Sequence, residues 1–136
     1  MQISTFYDKI NVKEGENMLY RESEEMYLET ILVLTQKGKN IRSIDIANEL
    51  NYSRASVSRA INLLKIRGYI VVENGIINFT DEGHKKASDI YERHNIIKSL
   101  LIKMGASNTL AEENACRIEH VISPEILELF KNYLDK

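Results

Sequence analysis

The feature that most constrains the fold is a change of hydrophobic period near residue 69. Before it, the segment "IRSIDIANELNYSRASVSRAINLLKIRG" has the pattern of a short helix and a longer helix joined by a turn at "NYS". After it, the runs "YIVV" and "IINFT" flank "ENG", whose Asn-Gly pair favours a tight hairpin. Two helices joined by a short turn and followed by a two-stranded hairpin predict a winged helix-turn-helix.

The segments on either side of this motif have helical patterns. Apolar residues recur at spacings of three or four from Met26 to Leu34, so we predict a first helix that begins after an N-cap at Ser23 and ends at Gly38. In the short helix of the motif, Ser43 is the predicted N-cap. Beyond residue 81 the pattern indicates three further helices, the last of which starts at Pro124. The predicted fold class is therefore mainly α with a small β-wing.

The composition is that of an ordinary globular protein. The chain has 136 residues, of which 43% are hydrophobic and 28% charged, and this length fits one compact domain or two small ones. No apolar run approaches the roughly 20 residues of a membrane span, and the first 25 residues lack the pattern of a signal peptide. The single cysteine cannot form an internal disulfide. We therefore expect a cytoplasmic protein that does not enter a membrane.

A local excess of positive charge coincides with the second helix of the motif. The chain has a net charge of −2, yet residues 51–72 contain four basic residues and no acid. Serine hydroxyls lie between the basic residues, and both kinds of side chain suit phosphates and base edges. The alternative is a solvated amphipathic helix in a small helical domain. The predicted DNA-binding residues are Ser53, Arg54, Ser56, Ser58 and Arg59.

The segment "ACRIEHV" brings three kinds of metal ligand onto one helical face. Cys116 stands three residues before Glu119 and four before His120. Thiolate, carboxylate and imidazole groups bind divalent cations, and a fourth ligand would have to come from elsewhere in the chain. The spacing alone leaves two interpretations open: a metal site, and a cysteine that packs in the core as a small hydrophobic residue.

Several stretches together resemble the diphtheria-toxin-repressor family of iron- and manganese-dependent transcription regulators. They are "SEEMYLETI" at 23–31, the winged helix, "RHNIIKSLL" at 93–101 and "ACRIEHVIS" at 115–123, and the C-R-x-E-H-V stretch is the most specific. The resemblance extends over about residues 22–136. It implies a homodimer that binds a double-stranded DNA operator when metal joins the first helix to the dimerisation helices.

The resemblance also implies the division of the chain and its metal ligands. Residues 1–21 would form an N-terminal arm, residues 22–81 the winged helix-turn-helix DNA-binding domain, and residues 82–136 a helical metal-binding and dimerisation domain. The cofactor would be Fe²⁺ or Mn²⁺, with one primary ion and a possible second. The primary site would consist of Met26, Cys116, Glu119 and His120. The second would consist of Glu29 and His94, and could share Glu119.

The ligand types bear on the choice of metal. Met26 and Cys116 stand where the family's manganese sensors have carboxylates. Two sulfur ligands make a softer site, which favours Fe²⁺ over Mn²⁺.

The sequence departs from the family pattern at Lys98 and Glu112. The iron branch has a carboxylate at the first position and a histidine at the second, and an ammonium group cannot ligate a cation. The alternative to a second ion is therefore that Lys98 pairs with a nearby carboxylate and takes the place of that ion. The SH3-like domain of the iron branch is not expected, because the layout resembles the two-domain manganese transport regulator branch.

These observations predict a metal-dependent DNA-binding transcriptional regulator, a repressor of metal-uptake genes. A metal-independent winged-helix transcriptional regulator, in which "ACRIEH" is part of the core, is the first alternative. A metal-dependent hydrolase that uses Glu and His is the second. The sequence shows no nucleophile–base pair and no Gly-rich phosphate loop, so we do not expect an enzyme.

Overall fold

The computed structural model describes residues 12–38 and 40–136, with side chains for residues 23–38 and 40–136. This part of the chain contains helices and one two-stranded antiparallel sheet. In chain order the elements are α1 (Val12–Gln36), α2 (Ser43–Leu50), α3 (Arg54–Ile66), β1 (Ile70–Glu73), β2 (Ile76–Phe79), α4 (Asp81–Lys103), α5 (Asn108–Ile118) and α6 (Pro124–Leu134). The predicted class, mainly α with a small β-wing, is confirmed. None of the described helices combines the length and the apolar composition that crossing a membrane requires.

The helix-turn-helix and its wing form as the local sequence predicts. The turn after α2 contains Asn51 in the left-handed conformation, and Ser53 then caps α3 by accepting a hydrogen bond from the backbone N–H of Ser56 at 3.2 Å. In the wing, Asn74 and Gly75 have φ angles of 52° and 78°. Positive φ at both central residues is the geometry of a hairpin turn whose twist matches the strands.

Two predicted helix starts differ from the structure. The predicted start at Ser23 is wrong, because α1 is continuous from Val12 and Ser23 lies in its interior. A serine that could cap a helix can also continue one when the preceding residues are already helical. The predicted arm, residues 1–21, overlaps α1 from residue 12, and residues 1–11 lie outside the described ones. The N-cap of α2 is Arg42, one residue before the predicted Ser43.

A single apolar core joins α1 to the winged helix and to the first part of α4. Its largest fully buried side chains include Leu28 and Ile31 of α1, Ile46 of α2, Leu64 of α3 and Ile90 of α4. Helix α4 also packs against α5 and α6. Helices α1 and α4 are therefore the elements through which the winged helix meets the C-terminal helices.

The first turn of α4 packs directly against the start of the wing. Thr80 caps α4, and its backbone N–H donates to the carbonyl of Tyr69 at 3.0 Å. A Cβ atom at Gly83 would lie 1.8 Å from the same carbonyl oxygen, so only glycine fits there. The wing and the first turn of α4 are thus in close contact.

A buried carboxylate ties α1 to α3 and α4. Glu24 is 7% exposed and pairs with Arg67 at 2.8 Å and with Lys86 at 3.0 Å. Because Arg67 is engaged with Glu24, the basic segment presents Arg54, Arg59 and Lys65 without the fourth charge that the sequence suggested.

Candidate metal centre and nucleic-acid interface

The predicted metal ligands converge where α1 meets α4 and α5. Met26 and Glu29 are three residues apart on α1 and lie on one face of it, toward α5. Together with Cys116, Glu119 and His120 they line a cavity of about 610 Å³. The cavity is thus bounded by the DNA-binding half on one side and by the C-terminal helices on the other.

His94 of α4 is the centre of this arrangement. The residue is 3% exposed, and its Nδ1 lies 2.8 Å from Glu119 Oε2 and 3.6 Å from Glu29 Oε1. One donor atom from each of Glu29, His94 and Glu119 lies within 4.8 Å of the other two. The two residues predicted for a second site are therefore brought together, with Glu119 beside both.

The charge state of this cluster is unusual. Hydrogen bonds to Cys116 and to Glu119 raise the pKa of His94 to about 11, against the opposing effect of burial. Burial, together with the neighbouring Glu119 carboxylate, raises the pKa of Glu29 to about 9. Both shifts favour the protonated form of the group.

One carboxylate oxygen at the centre lacks a hydrogen bond. Glu119 is fully buried, and its Oε1 has no hydrogen-bond partner among the described residues. His120 Nε2 lies 3.2 Å away but does not donate to it, while His120 Nδ1 lies 3.2 Å from Glu25 Oε2. An unsatisfied buried carboxylate oxygen is costly unless a cation binds it. The donor set therefore fits a divalent metal ion.

Cys116 and Met26 are placed differently from the oxygen and nitrogen donors. Cys116 is exposed, so the alternative of a buried core cysteine is wrong, and its sulfur lies 3.8 Å from His94 Nδ1. Met26 is half-buried, and its sulfur accepts a hydrogen bond from the Tyr52 hydroxyl at 3.7 Å. Among the described residues, two groups of three donors lie within 4.8 Å, and neither includes His120. The predicted primary set shares one cavity without forming one compact group.

Two residues beside the centre were not predicted from the sequence. Arg93 contacts Glu25 Oε2 at 2.7 Å and donates to the backbone carbonyl of Glu119 at 2.9 Å. Glu25 in turn faces His120. Glu25 precedes Glu29 by four residues, and this helical spacing could have predicted that both lie on the same face of α1. Arg93 and Glu25 tie α1, α4 and the end of α5 to one another.

The recognition helix α3 buries one face and exposes the other. Val57, Ile61 and Leu64 are buried, whereas Arg54, Ser58 and Arg59 are exposed. The other two predicted DNA-binding residues, Ser53 and Ser56, contact each other at the start of α3. Ser53 accepts the capping hydrogen bond from the backbone N–H of Ser56, and their hydroxyl oxygens lie 2.9 Å apart.

The exposed face of α3 also holds two residues outside the predicted DNA-binding set. Ala55 and Asn62 lie four residues before and three residues after Arg59, so they share its side of the helix, and both are exposed. Helical spacing around Arg59 would have identified them.

Comparisons with known proteins agree with this architecture. Residues 18–75 match the model of the iron-dependent repressor N-terminal DNA-binding domain, and residues 80–136 match that of the iron-dependent repressor metal-binding and dimerisation domain. The chain belongs to the iron-dependent repressor family. The resemblance found in the sequence is confirmed, and the chain is a metal-dependent, DNA-binding transcriptional regulator of this family.

Relatives within the iron-dependent repressor family cover most of the chain. It is 34% identical over 118 residues to an uncharacterized HTH-type transcriptional regulator from Methanocaldococcus jannaschii, covering 85% of this chain and 94% of the relative. It is 31% identical over 118 residues to the transcriptional regulator MntR from Escherichia coli, covering 85% of this chain and 76% of the relative. The crystal structure of IdeR from T. acidophilum is similar with a TM-score of 0.74 at 27% identity, over 82% of this chain and 54% of that one.

Proposed function

We propose that the protein is a homodimeric repressor that binds its operator when Fe²⁺ or Mn²⁺ occupies the centre between α1, α4 and α5. The observation that carries this proposal is the convergence of Glu29, His94 and Glu119, whose donor atoms lie within 4.8 Å of one another on three different helices. Since α1 belongs to the DNA-binding half, binding at this centre would fix that half relative to the C-terminal helices. The regulated genes would be those of metal uptake, in the cytoplasm where the operator lies.

The proposed ligands follow the cavity. Met26, Cys116, Glu119 and His120 would form the primary site, and Glu29 and His94 a second position that shares Glu119. A bound divalent cation would balance the negative charge of the buried Glu119 and of Glu29. His94 and Glu29 would each release a proton on binding, because their raised pKa values keep them protonated in its absence.

The donor types support a preference between the two metals. If the sulfur atoms of Cys116 and Met26 coordinate, the site is soft enough to favour Fe²⁺. If only the Glu29, His94 and Glu119 group coordinates, its oxygen and nitrogen donors suit Mn²⁺ as well.

DNA recognition would come from the exposed face of α3. Arg54, Ser58 and Arg59 are available to base edges or phosphates in the major groove. Ser53 and Ser56 would contribute at the start of this helix, where backbone N–H groups also attract phosphate.

The exposed apolar side chains of α6 support the homodimer. Ile126, Leu129 and Tyr133 are 44%, 61% and 55% exposed, and α6 has no buried residue. Apolar surface of this kind at the C-terminal helices is suited to a two-fold interface that places two recognition helices on successive half-sites.

A second candidate, a metal-independent winged-helix regulator, is favoured by one observation. Arg93 links Glu25 of α1 to the Glu119 carbonyl at distances of 2.7 and 2.9 Å. This link would hold the two halves together without a metal ion.

DNA-binding titrations separate the two candidates. Duplexes selected from a random-sequence library in the presence of Mn²⁺ would supply the operator, and binding to them would be measured with chelator, Mn²⁺, Zn²⁺ and, anaerobically, Fe²⁺. We expect chelator to abolish specific binding, and His94→Gln to abolish the specific binding that metal gives to the unmodified protein. The control His84→Gln changes an exposed histidine of the same helix and should behave as the unmodified protein. Equal specific binding with chelator and with every metal would refute the proposal and support the second candidate.

A further inference from the structure

His120 lies between two carboxylates, one at each of its ring nitrogens. Its Nδ1 is 3.2 Å from Glu25 Oε2, and its Nε2 is 3.2 Å from Glu119 Oε1. Only the first contact has the geometry of a hydrogen bond, and Glu119 Oε1 has no hydrogen-bond partner among the residues whose side chains are described. The two sides of the imidazole are therefore unequal: one is hydrogen-bonded, and the other faces a buried oxygen that lacks a partner.

The Glu25 carboxylate is held in place by Arg93. The Glu25 side chain is 2% exposed, and the oxygen that faces His120 also accepts a hydrogen bond from Arg93 Nη2 at 2.7 Å. The other terminal nitrogen of Arg93 donates to the backbone carbonyl of Glu119 at 2.9 Å. The same guanidinium thus fixes both the Glu25 carboxylate and the backbone that directly precedes His120.

The contact with Glu25 decides which nitrogen of His120 is available to an ion. A carboxylate accepts hydrogen bonds and does not donate them, so the contact requires a proton on Nδ1. A neutral imidazole with its proton on Nδ1 has its lone pair on Nε2, which is then the only nitrogen that can bind a metal. At metal–ligand distances of about 2.1 Å, two adjacent ligand atoms of an octahedral ion lie about 3.0 Å apart. The 3.2 Å between Nε2 and Glu119 Oε1 fits one ion that binds both atoms.

We propose that Glu25 is a positioning residue of the metal centre, which keeps a proton on Nδ1 of His120 and so directs Nε2 to the ion beside Glu119 Oε1. Glu25 is not itself a ligand, because it contacts the ring nitrogen that the ion does not use. A carboxylate in this position orients the ring and makes the ligating nitrogen more basic. The inference rests on the proposed function, because it assumes that His120 binds metal.

The position of the proton on His120 tests the proposal. The chain has three histidines, so long-range proton–nitrogen NMR correlations of labelled protein can be assigned with single His→Gln variants. In protein loaded with diamagnetic Zn²⁺, we expect His120 to carry its proton on Nδ1 and to bind the metal through Nε2. His84, which is exposed, is the reference. A proton on Nε2 with metal at Nδ1 would overturn the inference, whereas a His120 ring that Zn²⁺ leaves unchanged would contradict its place among the proposed ligands.

Substitution of Glu25 tests whether this contact matters for metal binding. Glu25→Gln keeps the size of the side chain but removes the charge that favours a proton on Nδ1, so we expect the affinity for Mn²⁺ to fall by about tenfold or more. Glu24→Gln is the matched control, because it removes a buried carboxylate of the same helix that pairs with two cations other than Arg93. This control should keep the affinity of the unmodified protein.

A double-mutant cycle separates the orientation of His120 from a general loss of structure. If Glu25 acts through His120, Glu25→Gln should no longer weaken Mn²⁺ binding once His120→Ala has removed the ring. Circular dichroism of each variant would establish that it is folded. An unchanged affinity in folded Glu25→Gln, or an equal loss with and without the His120 ring, would overturn the inference while leaving the proposed function intact. Failure of the unmodified protein to bind Mn²⁺ or Fe²⁺ would instead refute the proposed function.

Discussion

The Tyr52 hydroxyl donates a hydrogen bond to the sulfur of Met26 at 3.7 Å, which joins the turn before the recognition helix to the candidate metal centre. Tyr52 directly precedes Ser53, the cap of α3. It also packs edge-on against Tyr27 of α1, with ring centroids 6.2 Å apart. The start of the recognition helix is thus in contact with the helix that supplies two of the proposed metal ligands.

Tyr52→Phe removes this hydrogen bond while keeping the aromatic ring. If Met26 is a ligand, the freed sulfur should bind metal more tightly, by about twofold, because a thioether is a weak acceptor and this hydrogen bond contributes roughly 0.5 kcal/mol. Titration calorimetry with Mn²⁺ and anaerobic Fe²⁺ would measure the change. Tyr133→Phe on α6 is the control, and an equal or weaker affinity in Tyr52→Phe would argue against ligation by Met26.

Cys116 is exposed, so its substitution should affect metal binding more than stability. Cys116→Ser should weaken metal binding with little change in thermal stability. Cys116→Asp should keep binding and shift the preference toward Mn²⁺, because a carboxylate is a harder ligand than a thiolate. The Fe²⁺ and Mn²⁺ affinities and the melting temperatures of both variants test this prediction. Unchanged affinities in both variants would mean that Cys116 is not a ligand.

The Arg93–Glu25 pair should stabilise the fold whether or not metal is present. Arg93→Met leaves the buried carboxylate of Glu25 without its guanidinium partner, and we expect a loss of about 3 kcal/mol in the free energy of unfolding. Urea denaturation with chelator present measures it. Combining Arg93→Met with Glu25→Gln should restore part of the loss. Lys131→Met, which removes a surface contact to Glu92, should cost far less.

Arg59 lies at the centre of the exposed face of α3. Arg59→Ala should weaken specific DNA binding by roughly 1–3 kcal/mol and relax the preference at one base pair if Arg59 contacts a base edge. Lys65→Ala, at the end of α3, should weaken binding to all sequences alike if it contacts phosphate. Competition binding with single-base variants of the operator distinguishes them. A uniform loss in Arg59→Ala would place that side chain on the backbone instead.

The exposed apolar face of α6 should control assembly. Leu129 is 61% exposed, and Leu129→Lys would put a charge into the proposed two-fold interface. We expect it to be monomeric at micromolar concentration in sedimentation analysis and to lose cooperative operator binding. Glu128→Lys is the matched control on the same helix. A dimer that persists in Leu129→Lys would show that the interface lies elsewhere.

Local signals in the sequence predicted most of the fold. The Asn74-Gly75 turn and the start of the last helix at Pro124 depend on neighbouring residues alone, and the structure confirms both features. The start of α1 was missed because Ser23 has the character of a cap although the chain is already helical before it.

The surroundings of the site were less predictable, because they depend on pairs that are distant in the chain. Arg93 meets Glu25 across 68 residues, and no local pattern connects them. Arg67 was counted with the DNA-binding charge, yet it pairs with Glu24 of α1. Sequence motifs predicted the types of metal ligand. The residues that orient these ligands and balance their charge could be identified only from the tertiary structure.

The close contact between Gly83 and the Tyr69 carbonyl couples the position of the wing to that of α4. His94 lies eleven residues further along the same continuous helix, a distance of about 16 Å. Because the wing cannot slide over the first turn of α4 without a clash, a tilt of this helix about His94 would carry the wing with it. Each degree of tilt about His94 would move the wing by roughly 0.3 Å. A small adjustment at His94 would thus reposition a strand of the DNA-binding surface without unfolding any element.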